Sequence, residues 1–278
     1  MQANYIFEEG HVPLLISMPH SGVFIPADIQ AQLTPIAKER ADTDWHLPLL
    51  YNMTKALGVS TIKAQYSRYV IDLNRSREDD NLYPGQDTTG LFPIDTFDKK
   101  PLYLNNVLPT KEEKQRRIAL YWEPYHQQIQ TQLERMRAQY GVAILWDAHS
   151  IASQVPRFFE GKLPDLNFGT ANQTSCALSL ENALENTLCK VLHDSMQLSQ
   201  VSHVFNGRFK GGYITRHYGK PEDHIHAVQL EMSQCLYMNE QSPYTYRPEL
   251  AEKIQPILTR LLQTCIDWAN KNQQKAFS

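Results

Sequence analysis

Ala143-Ile144-Leu145-Trp146-Asp147-Ala148-His149-Ser150 is a short apolar run, bounded upstream by Gly141, that ends on polar residues. It reads as a buried strand of an α/β sheet. Open α/β sheets keep their ligand sites at the carboxyl ends of such strands. Asp147 and His149 stand two positions apart, so on an extended chain they point the same way and reach one cavity. The pair reads as half of a metal site, with an Asp–His hydrogen bond at a strand end as the plain alternative.

Upstream, Val12 to Ser17 is a second apolar run and a predicted strand. It ends in Met18-Pro19-His20-Ser21-Gly22, where Pro and Gly force a turn, so His20 also sits just past a strand end. Asp42-Thr43-Asp44-Trp45 opens a predicted helix. Trp45, Leu49, Met53 and Leu57 recur at helical spacing, Gly58 fits a C-terminal stop, and Thr43 or Asp42 fits an N-cap. Asp44 then lies in the first turn. Val59 to Ala64 and Tyr69 to Leu73 read as further strands, the second running into Asp72-Leu73-Asn74-Arg75.

Residues 76–110 read as irregular, and a loop of that length is often part of a site. Lys111 to Gln139 is a predicted long helix with an apolar side, with a kink expected at Pro124; His126 on it reads as packed or surface. Gly161 to Ser175 reads as a loop, Ala177 to Met196 as a helix, Val201 to Phe205 and His226 to Met232 as strands, and Pro248 to Asn270 as a covering helix. Between the last two strands, Asn206-Gly207-Arg208-Phe209-Lys210-Gly211-Gly212-Tyr213-Ile214-Thr215-Arg216 carries paired glycines and three basic residues. Such a loop suits an anion cradled on backbone N–H groups, although no phosphate-loop motif occurs.

Composition bounds the partners. The 278 residues show no repeat or linker and read as one domain, 1–278. A net charge of −3 gives no reason to expect nucleic acid or an anionic membrane. No apolar run approaches the roughly 20 residues of a membrane span, and the N-terminus lacks a signal peptide, so the expected location is cytoplasmic. The four cysteines are scattered without a C-x-x-C pair, so any metal must be held by His and carboxylate.

His20, His149 and one carboxylate of Asp42 and Asp44 make a two-His, one-carboxylate set. That set suits catalytic zinc, which takes three protein ligands and leaves a position for water, lowering its pKa to about 7. Asp147 is then the natural partner that fixes the tautomer of a ligand histidine. Glu231 lies in Ala227-Val228-Gln229-Leu230-Glu231-Met232, where burial should raise its pKa. That suits a general base, and the solvent face of an edge strand is the plain alternative. Arg75, Arg216 and Arg68 supply planar forks for a small substrate with more than one carboxylate.

On these residues the chain resembles the N-formylglutamate deformylase (N-formylglutamate amidohydrolase) family. The strings that carry the resemblance run along nearly the whole chain. They include Pro19-His20-Ser21-Gly22, Asp42-Thr43-Asp44-Trp45, Ser67-Arg68-Tyr69-Val70-Ile71-Asp72-Leu73-Asn74-Arg75 and Leu82-Tyr83-Pro84-Gly85-Gln86. Tyr121-Trp122-Glu123-Pro124-Tyr125-His126, Trp146-Asp147-Ala148-His149-Ser150, Leu163-Pro164-Asp165-Leu166-Asn167, Asn206-Gly207-Arg208-Phe209-Lys210-Gly211-Gly212 and Gln229-Leu230-Glu231 follow in order.

The resemblance implies metal-dependent hydrolysis of N-formyl-L-glutamate to formate and L-glutamate, a late step of one route of L-histidine degradation. It also implies a zinc-carboxypeptidase-like (phosphorylase/hydrolase-like) α/β fold: a mixed, largely parallel sheet with helices on both faces. In that larger group a Glu on a late strand is the base, which matches Glu231, and an Asn-Arg pair binds a substrate carboxylate, which looks like Asn74-Arg75. The larger group often places a Glu ligand three residues after its first His, whereas Val23 stands there in this chain. The expected ligands of one divalent ion, Zn2+, are therefore His20, Asp44 and His149, with Asp42 as the N-cap. Glu231 then deprotonates water and later protonates the leaving amine, and Arg75, Arg68 and Arg216 hold two substrate carboxylates.

Two other readings compete. One is a related amidohydrolase acting on another N-acyl-glutamate or N-acyl-aspartate. The other is a metal-free relative that binds dicarboxylates. A cysteine hydrolase using Cys176 is weaker, because no His is placed near it in a recognisable motif.

Overall fold

The computed structural model describes residues 3–81, 85–195 and 198–273. Leu82, Tyr83 and Pro84 of one family-like string, and Met196 at the expected end of a helix, lie outside the described residues.

Among the described residues seven strands form one sheet: β1 (Tyr5–Glu8), β2 (Leu14–Met18), β3 (Ser60–Ala64), β4 (Ala143–Ile151), β5 (Leu166–Gly169), β6 (His203–Phe205) and β7 (Ile225–Ser233). Their order is β1-β3-β2-β4-β7-β5-β6. The central strands β3, β2, β4 and β7 are parallel, β1 pairs antiparallel at one edge, and β5 turns antiparallel against β7. This is the expected mixed, largely parallel sheet.

Side-chain alternation along these strands sorts the core into two layers. On one face Leu14 and Ile16 of β2, Ile144, Trp146 and Ala148 of β4, and Val228 and Leu230 of β7 are fully buried. They pack against helices α3 (Leu47–Leu50), α6 (Leu178–Asp194) and α8 (Pro248–Asn272). On the other face Leu15, Leu145 and Ala227 pack against Ile129, Leu133 and Met136 of α5 (Glu123–Tyr140). Truncating one such residue to Ala costs about 2–5 kcal/mol. Farther along the strands this second face changes character, because Ser17, Asp147, His149, Gln229 and Glu231 replace the apolar side chains while remaining buried. A functional cavity is thereby cut into the core at the carboxyl ends of β2, β4 and β7.

Several local expectations are corrected. Tyr69 to Leu73 is not a strand but a run of turns. The Val70 N–H donates to the Ser67 carbonyl (2.9 Å), and Asp72 Oδ1 accepts the N–H of Asn74 (2.9 Å). Short polar side chains that bond their own backbone compete with a sheet ladder. The apolar residues between them are buried by packing under the cavity wall, which a pattern of hydrophobicity reads as a strand.

The helix expected from Asp42 is equally altered. Helix α3 is one turn long, its N-cap is His46 at φ 61, and a 3-10 turn follows at Asn52–Thr54. Neither Thr43 nor Asp42 caps it. The Asp44 N–H is instead spent on the His20 carbonyl (3.1 Å), docking this connection onto the end of β2. Gly58 does end the segment, at φ 69.

The long helix is divided into α4 (Lys111–Arg117), a π-helical turn at Ile118–Trp122, and α5. Pro124 has no N–H to offer Leu120, and the Asn4 amide takes that carbonyl instead (2.5 Å). The bulge turns Trp122 so that its Nε1–H donates to the Arg75 carbonyl (3.0 Å). His126 is a satisfied core residue. Its Nε2–H donates to the Leu73 carbonyl (2.9 Å), and its ring stacks on Trp122 at 3.8 Å. Among the remaining helices, α1 (Ala27–Gln30) and α2 (Pro35–Glu39) are single turns, and α7 (Tyr213–Tyr218) packs on the site face. The expected loop at 161–175 contains β5. Among the described residues no helix is long and apolar enough to cross a membrane.

Candidate metal centre and active site

Strand register brings the site together. In the β4–β7 pair His149 stands opposite Glu231 and Asp147 opposite Gln229, while Ser17 of β2 stands opposite Asp147. Parallel neighbours opposite one another point to the same face, so these side chains share one cavity wall. His20 follows β2 after the Pro19 turn. Its ring centroid comes within 4.9 Å of that of His149.

His20, Asp44 and His149 are buried and each offers one ligand atom, all within 4.8 Å of one another. His149 Nδ1 is 3.1 Å from Asp44 Oδ2, and His20 Nδ1 is 3.8 Å from the same oxygen. Three donors at 2.0–2.1 Å from a tetrahedral ion lie roughly 3.3 Å apart, a spacing these two distances straddle.

The far nitrogens are tied back. His20 Nε2–H donates to Asp72 Oδ1 (2.7 Å), and His149 Nε2–H faces Asp147 Oδ2 (3.0 Å). Asp44 is an acceptor as well, so both nitrogens of His149 face carboxylates; a cation held by Asp44 and the two Nδ1 atoms would leave each ring its proton on Nε2, facing Asp72 or Asp147. Asp44 is itself oriented by the Ser150 N–H, which donates to Oδ2 at 3.2 Å.

Three buried carboxylates, Asp44, Asp72 and Asp147, surround these imidazoles, and Arg68 is the buried guanidinium that answers them through Asp72 Oδ2 (2.6 Å). Asp147 Oδ1 is buried with no hydrogen-bond partner among the described residues. A surplus of buried negative charge around two oriented imidazoles fits a bound cation. Burial works against an ionised Asp72, yet His20, Arg68 and Arg75 hold it well below the usual carboxylate range. Burial likewise works against charge on His149, but Asp147 and Asp44 raise it well above 6.5.

Glu231 is 8% exposed, and burial pushes its carboxyl up to about 8 against the pull of His149. The backbone around it is fixed by Asn167, whose Nδ2 donates to the Glu231 carbonyl (3.2 Å) from across β5.

His20, Asp44, His149 and Glu231 open on one cleft with about 590 Å³ of empty space, mouth included, whereas Asp72 and Asp147 are not part of its lining. Arg68 and Arg75 line it, together with Thr88, Thr89 and Phe97 from the irregular 76–110 segment. Arg75 is braced by the Thr89 carbonyl (2.7 Å) and the Asn74 carbonyl (2.9 Å).

Two sequence expectations are placed differently. The Asn74 side chain reaches the wall, but its Oδ1 accepts the Ile214 N–H (2.8 Å) and its Nδ2 lies 3.0 Å from His149 Nε2. Its Nδ2–H reaches Asp147 Oδ2 (3.5 Å), so Asn74 packs against the His149 imidazole beside the carboxylate that the ring also faces. Arg216 is not part of the cleft lining; its Nε–H donates to the Gly211 carbonyl at the foot of α7 (2.8 Å).

Asp42, the N-cap of the sequence reading, has its carboxylate on the Phe97 N–H (3.0 Å), and burial pushes it up to about 6. Three residues escaped the sequence reading of the site: Asp72, Gln229 and Arg208. The signal for Asp72 was present, since it is a lone carboxylate in an apolar run, as Glu231 is.

Comparison with known proteins follows the same lines. A family model described as N-formylglutamate amidohydrolase matches residues 12–238. A curated N-formylglutamate deformylase of Pseudomonas aeruginosa is 49% identical over 265 residues, covering 95% of this chain and 97% of the relative. Another, of Pseudomonas putida, is 46% identical over 97% of this chain and 98% of its own length. The crystal structure of N-formylglutamate amidohydrolase from Ralstonia eutropha JMP134 superposes with a TM-score of 0.80 at 24% identity, covering 98% of this chain and all of that one. At that identity the match speaks to the fold.

Proposed function

The chain belongs to the N-formylglutamate amidohydrolase family, and from that premise we infer that it hydrolyses N-formyl-L-glutamate to formate and L-glutamate. The observation that carries this reading is the convergence of His20, Asp44 and His149 in one buried cluster, with Glu231 opposite His149.

His20 Nδ1, Asp44 and His149 Nδ1 are the groups that would hold one divalent ion, and zinc suits that donor set. Such an ion supplies Lewis acidity, polarising the formyl carbonyl and making water acidic enough to attack at neutral pH. The protein groups do the rest. Glu231 takes one proton from the attacking water, whose oxygen bonds to the formyl carbon. As the C–N bond breaks, Glu231 returns that proton to the leaving nitrogen, giving formate and the free amine of glutamate. A carboxyl with its pKa lifted by burial is matched to both transfers.

Asp72 and Asp147 keep the ligand rings in one tautomer, and Asn74 packs against His149 from the side. Arg68 or Arg75 answers the substrate carboxylate nearest the reacting centre, with Arg68 lying over the Phe97 ring at 4.8 Å.

The test compares kcat/KM for N-formyl-, N-acetyl- and N-succinyl-L-glutamate. A close-fitting acyl pocket favours formyl by about 10- to 100-fold, since one extra methyl group in a tight site costs about 1–3 kcal/mol. Equal turnover of the acetyl compound would place the chain among broader N-acyl-glutamate hydrolases.

A further inference from the structure

We propose that Arg208 is the specificity-determining residue that binds the side-chain carboxylate of the substrate, the one remote from the scissile amide. This rests on the functional reading above and deepens it.

A dicarboxylate held with its formyl carbon at the metal ligands presents its two charges at different depths. The carboxylate next to the amide nitrogen lies close to the reacting centre, and the other lies two methylenes farther out. The cleft is lined by three guanidinium side chains, Arg68, Arg75 and Arg208. The first two are each one residue removed from a ligand imidazole. Arg68 bonds Asp72, which bonds His20, and Arg75 follows Asn74, which abuts His149.

Arg208 is attached to a different part of the wall. Its Nε–H donates to the Phe158 carbonyl (2.6 Å), and its guanidinium carbon lies 5.3 Å from the Phe209 ring centre and 5.9 Å from that of Phe158. Phe158 packs edge-on against Phe97 at 4.9 Å, and Phe97 in turn carries Arg68 at 4.8 Å. Two aromatic rings thus stand between the inner guanidinium and the outer one. That spacing offers apolar wall to the methylenes of the substrate and a planar fork to its far carboxylate.

The loop that carries Arg208 is anchored on both sides. Asn206 Oδ1 accepts the N–H of Thr170 (2.9 Å) and of Asn172 (3.1 Å), and the Gly212 N–H donates to Gln229 Oε1 (2.7 Å). The Ala171 N–H donates to the Lys210 carbonyl (2.6 Å), and Gly169 lets the loop come so close that a Cβ there would meet Gly211 N at 2.4 Å. A guanidinium so anchored loses little freedom on meeting its ligand, which favours selectivity.

The experiment measures formate release from N-formyl-L-glutamate and from N-formyl-L-glutamine, its neutral analogue, with the wild type, Arg208→Met and Arg208→Lys. Arg208→Met lowers kcat/KM for the glutamate compound about 100-fold more than for the glutamine compound, with the loss carried by KM. Arg208→Lys, which keeps the charge but not the fork, restores about tenfold of it. Equal losses on both substrates, or no loss on either, would overturn the proposal. A wild-type enzyme that releases no formate from N-formyl-L-glutamate would instead overturn the functional reading beneath it.

Discussion

His149 and Glu231 stand directly opposite each other in the parallel pairing of β4 and β7, on the face where both strands turn from apolar to polar. On the proposed assignment, one strand delivers a metal ligand and its neighbour the base. The register therefore sets their separation without help from loops, and a one-residue slip would send one of them to the far side of the sheet.

Glu231→Gln removes the proton carrier while leaving the ligand set intact. The expected result is a fall in kcat of about 10²- to 10⁴-fold, with metal content per chain unchanged. Steady-state kinetics paired with elemental analysis check it. Loss of metal alongside activity would make Glu231 a ligand rather than the base.

Asp72 and Asp147 orient one imidazole each, but only Asp72 also neutralises a buried guanidinium, Arg68. Asp72→Asn and Asp147→Asn should both weaken metal binding by about 10- to 100-fold in a competition titration. Asp72→Asn should in addition destabilise the fold by about 3–5 kcal/mol in denaturant melts, because it leaves a buried charge unpaired.

Gly212 lies against the amide of Asn74, and a Cβ placed there would fall 2.3 Å from Asn74 Nδ2. Gly212→Ala should push Asn74 off His149 and lower kcat/KM by about 10- to 100-fold, since small displacements at a reacting centre are costly. Far-ultraviolet circular dichroism should be unchanged.

Burial pushes His126 down to about 3 and His226 down to about 4. Both titrate near 6.5 when unfolded, so below about pH 6.5 the unfolded chain takes up protons that the folded chain does not. Their contribution to stability is complete above that pH and is lost as pH falls toward the folded values, at about 1.4 kcal/mol per pH unit for each group. Urea melts between pH 7 and pH 4.5 check the slope, and His126→Gln should remove one proton's share of it.

The strands that build the site were readable because the chemistry sits on them. Asp147 and His149 share a parity on β4, and Glu231 interrupts an apolar run on β7. The turns around Asp72 were hidden by the same logic, since residues 69–73 are apolar for burial under the wall and not for a sheet. The connection at 42–46 was misread as a helix start because its polar residues fit an N-cap, whereas the tertiary bond from the Asp44 N–H to the His20 carbonyl decides its shape. Arg208 and Arg216 look alike within one basic loop. Which of them faces the cleft depends on how that loop folds back onto β5 and β7, and no local pattern records it.

Formate release from N-formyl-L-glutamate, followed together with metal content through chelation and add-back, tests the convergence of His20, Asp44 and His149 most directly. One divalent ion per chain, loss of turnover on its removal and recovery on return of Zn2+, with His149→Ala unable to rebind the ion, is the predicted result. Full turnover by the metal-stripped enzyme, or stoichiometric metal and full activity in His149→Ala, would contradict it.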